Sequence, residues 1–234
     1  MNNTTVKLKV QQRINKLGSK DYDNIQDWQL VEAFNKGVVG WCRRNLQGTN
    51  LTKTGDEATK RRIDDLQILL KTVPFRMYDK KEFYESDTLP TDYFEWKRIS
   101  AKAVQGCCTE PRRLVIYLSE EANVDVVLAD DFKKPSFEWA ETFCTIADNK
   151  VKIYTDEKFE VVEPTLTYYR QPVRIEMKGI SNPYTGVTSL QEVECEFKDD
   201  LVEVFIDECA KILSGDIESM NVQQLTDNSV ETNN

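Results

Sequence analysis

Three pairs of adjacent acids, Asp64-Asp65, Asp130-Asp131 and Asp199-Asp200, are the first residues in this chain of a type suited to chemistry. Acid–base work at a glycosidic bond needs two carboxyl groups facing each other roughly 5 to 9 Å apart, as a rule from separate elements. Sequence neighbours on a helix or strand point in different directions, so these pairs read as solvated or helix-capping groups. Cys107-Cys108 has the composition of a redox pair, but no cation lies closer than Arg112 and no helix start precedes it. A buried structural role is the preferred reading. Arg43-Arg44 and Lys60-Arg61-Arg62 suit phosphate or an acidic partner, or more simply a solvated helical face. The aromatic side chains Phe83, Tyr84, Tyr93, Phe94 and Trp96 could stack on bases. In an acidic chain they fit a protein interface better.

Composition removes whole classes of chemistry. The 234 residues contain no histidine, which excludes a Ser-His-Asp triad, a Cys-His pair and any metal site built on imidazole. Six cysteines stand at positions 42, 107, 108, 144, 195 and 209 without a C-x-x-C spacing. No EF-hand, P-loop or G-x-G-x-x-G pattern is present, so no metal, nucleotide or other cofactor is expected. The N-terminal residues show no basic segment followed by an apolar core, and no run of about 18 apolar residues exists. Synthesis in a reducing cytoplasm with reduced thiols follows as the expectation. The net charge of −9 argues against tight DNA binding but suits a surface past which DNA moves, because it gives phosphate few places to stick.

The elements that must position these residues begin with helices. Val6, Val10, Ile14 and Leu17 share one face of a short helix that stops at Gly18. A second helix is capped by Asn24 with Asp27 three residues on, and carries Ile25, Trp28, Val31, Phe34, Val38, Trp41 and Cys42 on one broad face. Ala33, Gly37 and Gly40 either let another helix approach closely or merely loosen this one. After a loop over 48–55, a third helix is expected through Ile63, Leu66, Leu70 and Val73, stopped by Pro74. Phe75 to Phe94 reads as an ordered loop with one strand at most. Strands are expected at Leu114–Leu118, Val124–Leu128, Lys158–Val162 and Leu166–Ile175, and a hairpin joins Phe137–Ile146 to Lys150–Tyr154. Leu166, Tyr168 and Arg170 alternate with Thr167, Tyr169 and Gln171, and Pro172 removes a ladder donor, which suits an edge strand. The closing helix, begun by Asp199 or Asp200, bears Leu201, Val204, Phe205, Cys209 and Ile212 as a stripe and ends at Gly215.

These elements predict an α+β chain: a helical bundle of three N-terminal helices plus the C-terminal helix, with an inserted, mainly antiparallel β domain. The expected boundaries are 1–73 with 198–215 for the bundle, 74–197 for the β domain and 216–234 for a polar tail. That tail carries no Lys or Arg and is expected to be disordered or to dock on a partner.

The order of a helical start, the Leu89-Pro90-x-Asp92-Tyr93-Phe94 element, strands, Tyr168-Tyr169-Arg170-x-Pro172 and a closing Asp199-Asp200-Leu201 helix resembles the head-to-tail connector proteins of tailed bacteriophages. The segment Asn24–Asn45, with Trp28 and Gly40-Trp41-Cys42-Arg43-Arg44, is similar to the virion ring proteins of crAss-like short-tailed phages. The resemblance spans about residues 5–215. It implies a non-catalytic virion protein in a closed ring, usually of twelve copies, between the portal and the tail. Its partners would be itself, the portal protein, neighbouring ring or tail proteins and the genomic DNA passing through the lumen, with no membrane. The subunit or partner interface is then expected at Leu166, Tyr168, Tyr169, Arg170 and Pro172, with Trp28, Trp41, Arg43, Arg44, Tyr93, Phe94 and Trp96. The competing readings are a cytosolic protein-interaction module without catalytic activity and a hydrolase working with carboxylates alone.

Overall fold

The computed structural model describes residues 1–15, 25–46, 64–106, 108–184 and 186–216. They fall into two compact units, Met1–Ile68 with Pro172–Asn234, and Leu69–Gln171. The expected cap at Asn24, the stop at Gly18, the loop over 48–55, Lys60-Arg61-Arg62, Cys107 and the tail beyond Asp216 lie outside the described residues.

In the first unit, helix α1 (Asn3–Ile14) starts where the Asn2 side chain accepts a hydrogen bond from the Thr5 N–H at 2.8 Å. Such a cap satisfies one of the unpaired donors of the first turn. Its buried face is Val6, Val10 and Ile14, the predicted spacing. Helix α2 (Asp27–Leu46) buries Leu30, Ala33, Phe34, Val38, Trp41 and Cys42. The closing helix runs from Asp199 to Asp216 and packs against both α1 and α2. Two partners explain why its apolar surface is wider than the predicted stripe. Val202, Ile206, Ala210 and Leu213 are buried beside Leu201, Val204, Phe205 and Cys209. Trp41, Phe197 and Phe205 meet edge to face, with ring centroids 5.2 to 6.3 Å apart. Gly37 answers one open question: a Cβ there would lie 3.2 Å from the Glu208 Cβ, so this glycine lets the two helices approach, whereas Gly40 faces no such neighbour.

Charges line the same helix contacts. Arg13 donates to Asp207 at 2.8 Å, Lys9 pairs with Glu203, and Arg44 pairs with the almost fully buried Glu208. The described residues of 172–198 carry no regular element and hold two isolated antiparallel bridges, Glu176 with Val193 and Ser181 with Thr188.

The second unit is an eight-stranded sheet. Its strands are β1 (Leu70–Pro74), β2 (Met77–Asp79), β3 (Phe83–Ser86), β4 (Tyr93–Gln105), β5 (Cys108–Leu118), β6 (Glu141–Ala147), β7 (Lys150–Tyr154) and β8 (Glu160–Arg170). Their order is β1-β8-β4-β5-β6-β7-β3-β2. The sheet is mixed, because β5 and β6 run parallel while the other neighbours are antiparallel. Laid flat, its outer strands would stand about 34 Å apart. Only Phe75 and Arg76 separate them in sequence, and the links from Pro74 to Met77 reach at most about 11 Å. The sheet therefore curls until its two edges are consecutive stretches of one strand. The core lies inside the curl, with Ile99, Ala101, Leu114, Cys144, Ile153 and Tyr168 among its buried side chains.

A helical bundle carrying an inserted antiparallel β domain is therefore not what forms. The fold is α+β with a curled mixed sheet as its largest element, and among the described residues the closing helix packs against the two helices α1 and α2. The expected third helix fails because its described part gives one helical turn at Asp64–Leu66 and a 3-10 turn at Gln67–Leu69, then becomes β1. Thr72 and Val73 favour a strand, and β8 offers a ladder from Leu70–Tyr169 to Pro74–Thr165. The expected strand Val124–Leu128 is instead a short helix, α3 (Val124–Ala129). A parallel β5–β6 pair cannot be joined by a hairpin, and this segment belongs to the crossover it requires. Phe75–Phe94, expected to be mostly loop, contains β2, β3 and the start of β4. The β6–β7 hairpin forms as predicted, with Asp148 and Asn149 at φ of 51° and 59°, the left-handed pair a two-residue turn requires. The closing helix keeps the label α4 below.

Candidate interaction surface

The segment expected to be an edge strand is an interior one. β8 pairs with β1 on one side and β4 on the other, so its ladder groups are taken twice. Leu166, Tyr168 and Tyr169 are buried, and Arg170 is half-buried at the strand's end. Pro172 follows the strand instead of interrupting it. Alternation identified the strand, but a free edge does not follow from alternation alone.

Tyr168 shows what this region does. Its hydroxyl donates to Asp92 Oδ1 at 2.7 Å, and Lys71 Nζ donates to Asp92 Oδ2 at 2.8 Å. The Lys71 ammonium, then the Tyr168 hydroxyl, hold the Asp92 carboxyl below its ordinary range. Burial, then the neighbouring carboxylate, pushes the Tyr168 phenol up. The Asp92 carbonyl also accepts from the Gln171 N–H at 2.8 Å. Three charged or polar groups thus tie β1, the turn before β4 and the end of β8 together. An ionised carboxylate kept ionised and a phenol kept neutral form a fastening, with neither partner poised to exchange its proton near neutral pH. Tyr93 lies 5.6 Å from Tyr168, centroid to centroid, and burial pushes its own phenol up to about 12. Trp96 is half-buried, and its buried indole N–H has no hydrogen-bond partner among the described residues. Phe94 is half-buried too.

In the other unit, Trp41 is 4 % exposed and belongs to the helical core. Arg43 and Arg44 lie exposed at the end of α2, where Arg44 is engaged by Glu208. Trp28 is half-buried and meets Tyr184 edge to face at 5.3 Å. The paired acids, expected to be solvated or to cap helices, differ from one another: Asp65 is buried, whereas Asp64, Asp131 and Asp199 are exposed. Asp64 and Asp65 bridge to Lys198 at 2.5 and 3.7 Å, Asp130 accepts from the Phe132 N–H, and Asp199 stands in the first turn of α4.

The largest apolar exposure lies at residues not singled out by the sequence. In the second unit, Phe132 is 94 % and Trp139 79 % exposed, and both border a cavity of about 620 Å³. Its wall includes the buried Pro135 and Phe137, with Gln105 and Lys158. Arg112 sits 5.0 Å from the Phe137 ring centroid, and its guanidinium also donates to the Glu138 carbonyl. Val115, Tyr117, Leu118 and Val126 add further exposed apolar surface in the same unit. In the first unit Tyr184 and Leu190 are each 83 % exposed, with Val173 and Val187 also exposed. The available signal was local: Phe132 follows two aspartates and precedes two lysines, and Trp139 follows Glu138, so each aromatic stands alone among polar neighbours. Such isolated rings in turns belong to no core periodicity.

The described residues hold no group of three or more His, Cys, Asp or Glu placed to bind a metal ion, and no helix among them is long and apolar enough to cross a membrane. Burial pushes the Cys42 and Cys144 thiols up to about 12, so they are packing residues rather than nucleophiles. No protein family model matches the chain, and no curated protein matches it.

Proposed function

We propose that this protein is a virion structural protein: a ring-forming component of the connector between the portal and the tail of a tailed bacteriophage. The observation that carries this reading is the pair of apolar surfaces, one on each unit, centred on Phe132 with Trp139 and on Tyr184 with Leu190. Nearly bare aromatic and aliphatic side chains in turns are costly to leave in water and are typical of surfaces that a partner covers. Two different surfaces on one chain are what a head-to-tail contact needs, and head-to-tail contacts generate rings where the rotation between copies closes. The resemblance of the 5–215 region to connector and ring proteins supplies the biological setting. The net charge of −9 suits a channel wall that DNA passes without adhering. The partners on this reading are further copies of the chain, the portal protein and the adjoining ring or tail protein, and the location is the virion neck.

Negative-stain imaging of the purified chain, alone and mixed with the portal protein, tests the reading directly. Closed rings in either sample support it. Monomers in both samples overturn it in favour of a cytosolic interaction module.

A further inference from the structure

Resting on the reading that the chain assembles with itself, we propose that Tyr184, Val187 and Leu190 of one copy seat in the cavity bordered by Phe132 and Trp139 of the next copy. The described residues around the first surface are tied together by backbone hydrogen bonds. The Glu176–Val193 and Ser181–Thr188 bridges tie the two sides of the segment together, and the Ser189 N–H donates to the Ile180 carbonyl at 3.0 Å. At its base Asn3 donates to the Glu176 and Val193 carbonyls, and near its tip Trp28 meets the Tyr184 ring. Residues tied in this way lose little conformational freedom on docking.

Charge identifies the occupant. From Gly179 to Gln191 the sequence has no Asp, Glu, Lys or Arg, the longest such run in a chain that is 30% charged. The cavity is unsuited to an acidic guest. Its two ammonium groups are already held, Lys134 by Asp131 and Lys158 by Asp156 at 2.6 Å. An acidic guest would have to break one of these pairs and would face Glu138 and Glu141 on the same wall, whereas a neutral apolar one leaves both pairs in place. A volume of about 620 Å³ is ample for a few side chains and lies within the usual range for a binding pocket.

Area agrees. Phe132, Trp139 and Tyr184 each carry roughly 150–250 Å² of surface, and with Leu190 and Val187 the exposed total is about 800 Å². That is near half of the ~1,600 Å² a stable protein contact buries, so these side chains suffice for the centre of an interface. Because the guest and the cavity are different patches, the contact is heterologous and repeats from copy to copy.

Sedimentation velocity on the full chain tests this with two double variants, Tyr184→Ser with Leu190→Asp, and Phe132→Asp with Trp139→Ser. The wild type is expected to form large oligomers and each variant alone to remain monomeric. An equimolar mixture of the two variants is expected to form dimers and stop, since one intact tip and one intact cavity remain. The milder Leu190→Ser and Trp139→Ser, at exposed positions that leave the melting curve unchanged at concentrations too low for assembly, should each weaken assembly at least tenfold. Wild-type-like assembly of both double variants overturns the docking and leaves the ring reading standing. Variants that melt like the wild type, stay monomeric apart and fail to dimerise when mixed also overturn it. A wild-type chain that is itself monomeric overturns both.

Discussion

Two aromatic-rich regions of the sheet unit have opposite fates. On β8 and β4, Tyr168, Tyr93 and Trp96 are drawn into the curl of the sheet, where Tyr168 is completely enclosed, while its neighbour Tyr169 is buried on the opposite face of the strand. In the crossover between β5 and β6, Phe132 and Trp139 stand almost fully in water. The first set sits at regular alternation and reads as a surface only if the strand is an edge. The second set sits in turns, where no periodicity places it on any face. What separates them is topology. A strand flanked on both sides gives its apolar face to the core, while a crossover turn has one side against the sheet and the other free.

Thiol labelling gives the widest separation between the two environments within five residues of sequence. A cysteine at position 139, made by Trp139→Cys, should react with a soluble thiol reagent at the rate of a free thiol. Cys144, on β6 inside the core with its thiol pushed up to about 12, reacts only through opening of the fold. Open populations of about 10⁻³ or less place its rate at least about a thousandfold lower. Peptide mapping by mass spectrometry separates the two sites. Equal rates would mean that the core assignment of β6 is wrong.

Truncation comes next. Tyr168→Ala empties a fully enclosed position and should cost about 3–5 kcal/mol in denaturant unfolding, the range for large aromatic residues in cores. A loss under about 1 kcal/mol would return β8 to the role of a surface strand. Tyr168→Phe keeps the ring and removes only the bond to Asp92. It should cost about 1.5 kcal/mol at neutral pH, the low end for a bond to a charged group because Asp92 is one-third exposed. The Asp92 carboxyl is held below its ordinary range, so its bonds contribute above about pH 4 and are lost as the pH falls through the lowered value. The Tyr168 phenol is raised, so its contribution is present below about pH 10 and is lost as the pH climbs past that. The gap between wild type and Tyr168→Phe should therefore be widest between these limits and close in acid.

These contrasts also mark what the amino-acid sequence could and could not convey. The helix faces were legible because a 3.6-residue period is imposed by local geometry: Val6, Val10 and Ile14 needed no knowledge of the rest of the chain. The β6–β7 turn was legible because Asp148-Asn149 tolerates left-handed backbone. β1 was not, since Leu66, Leu70 and Val73 satisfy a helical period and only the ladder to β8 decides against it. Nor was α3, whose Val-rich run has strand propensity but falls where a parallel pair requires a crossover. The interior place of β8 depends on residues 70–74 lying on its far side, nearly a hundred positions away in sequence. Local pattern cannot carry such information. For the interaction surface the same limit applied in reverse: Tyr168 and Trp41 looked available because they are aromatic, and Phe132 and Trp139 were passed over because they lie outside any pattern.

The smallest effect is the sharpest discriminator. Trp139→Ser and Phe132→Ser should each change the stability of the isolated chain by no more than about 0.5 kcal/mol, because neither ring is enclosed by the fold that displays it. Measured on a non-assembled sample, a loss of 2 kcal/mol or more would mean that these rings pack within their own unit, and the comparison between the two regions would collapse. Measured where copies assemble, the same substitutions should lower the melting temperature relative to the wild type, by an amount that grows with the logarithm of protein concentration, since binding stabilises only the folded, associated form. A residue that matters to stability solely when copies meet is one whose packing partner lies on another molecule. Tyr168, by contrast, should cost the same at every concentration.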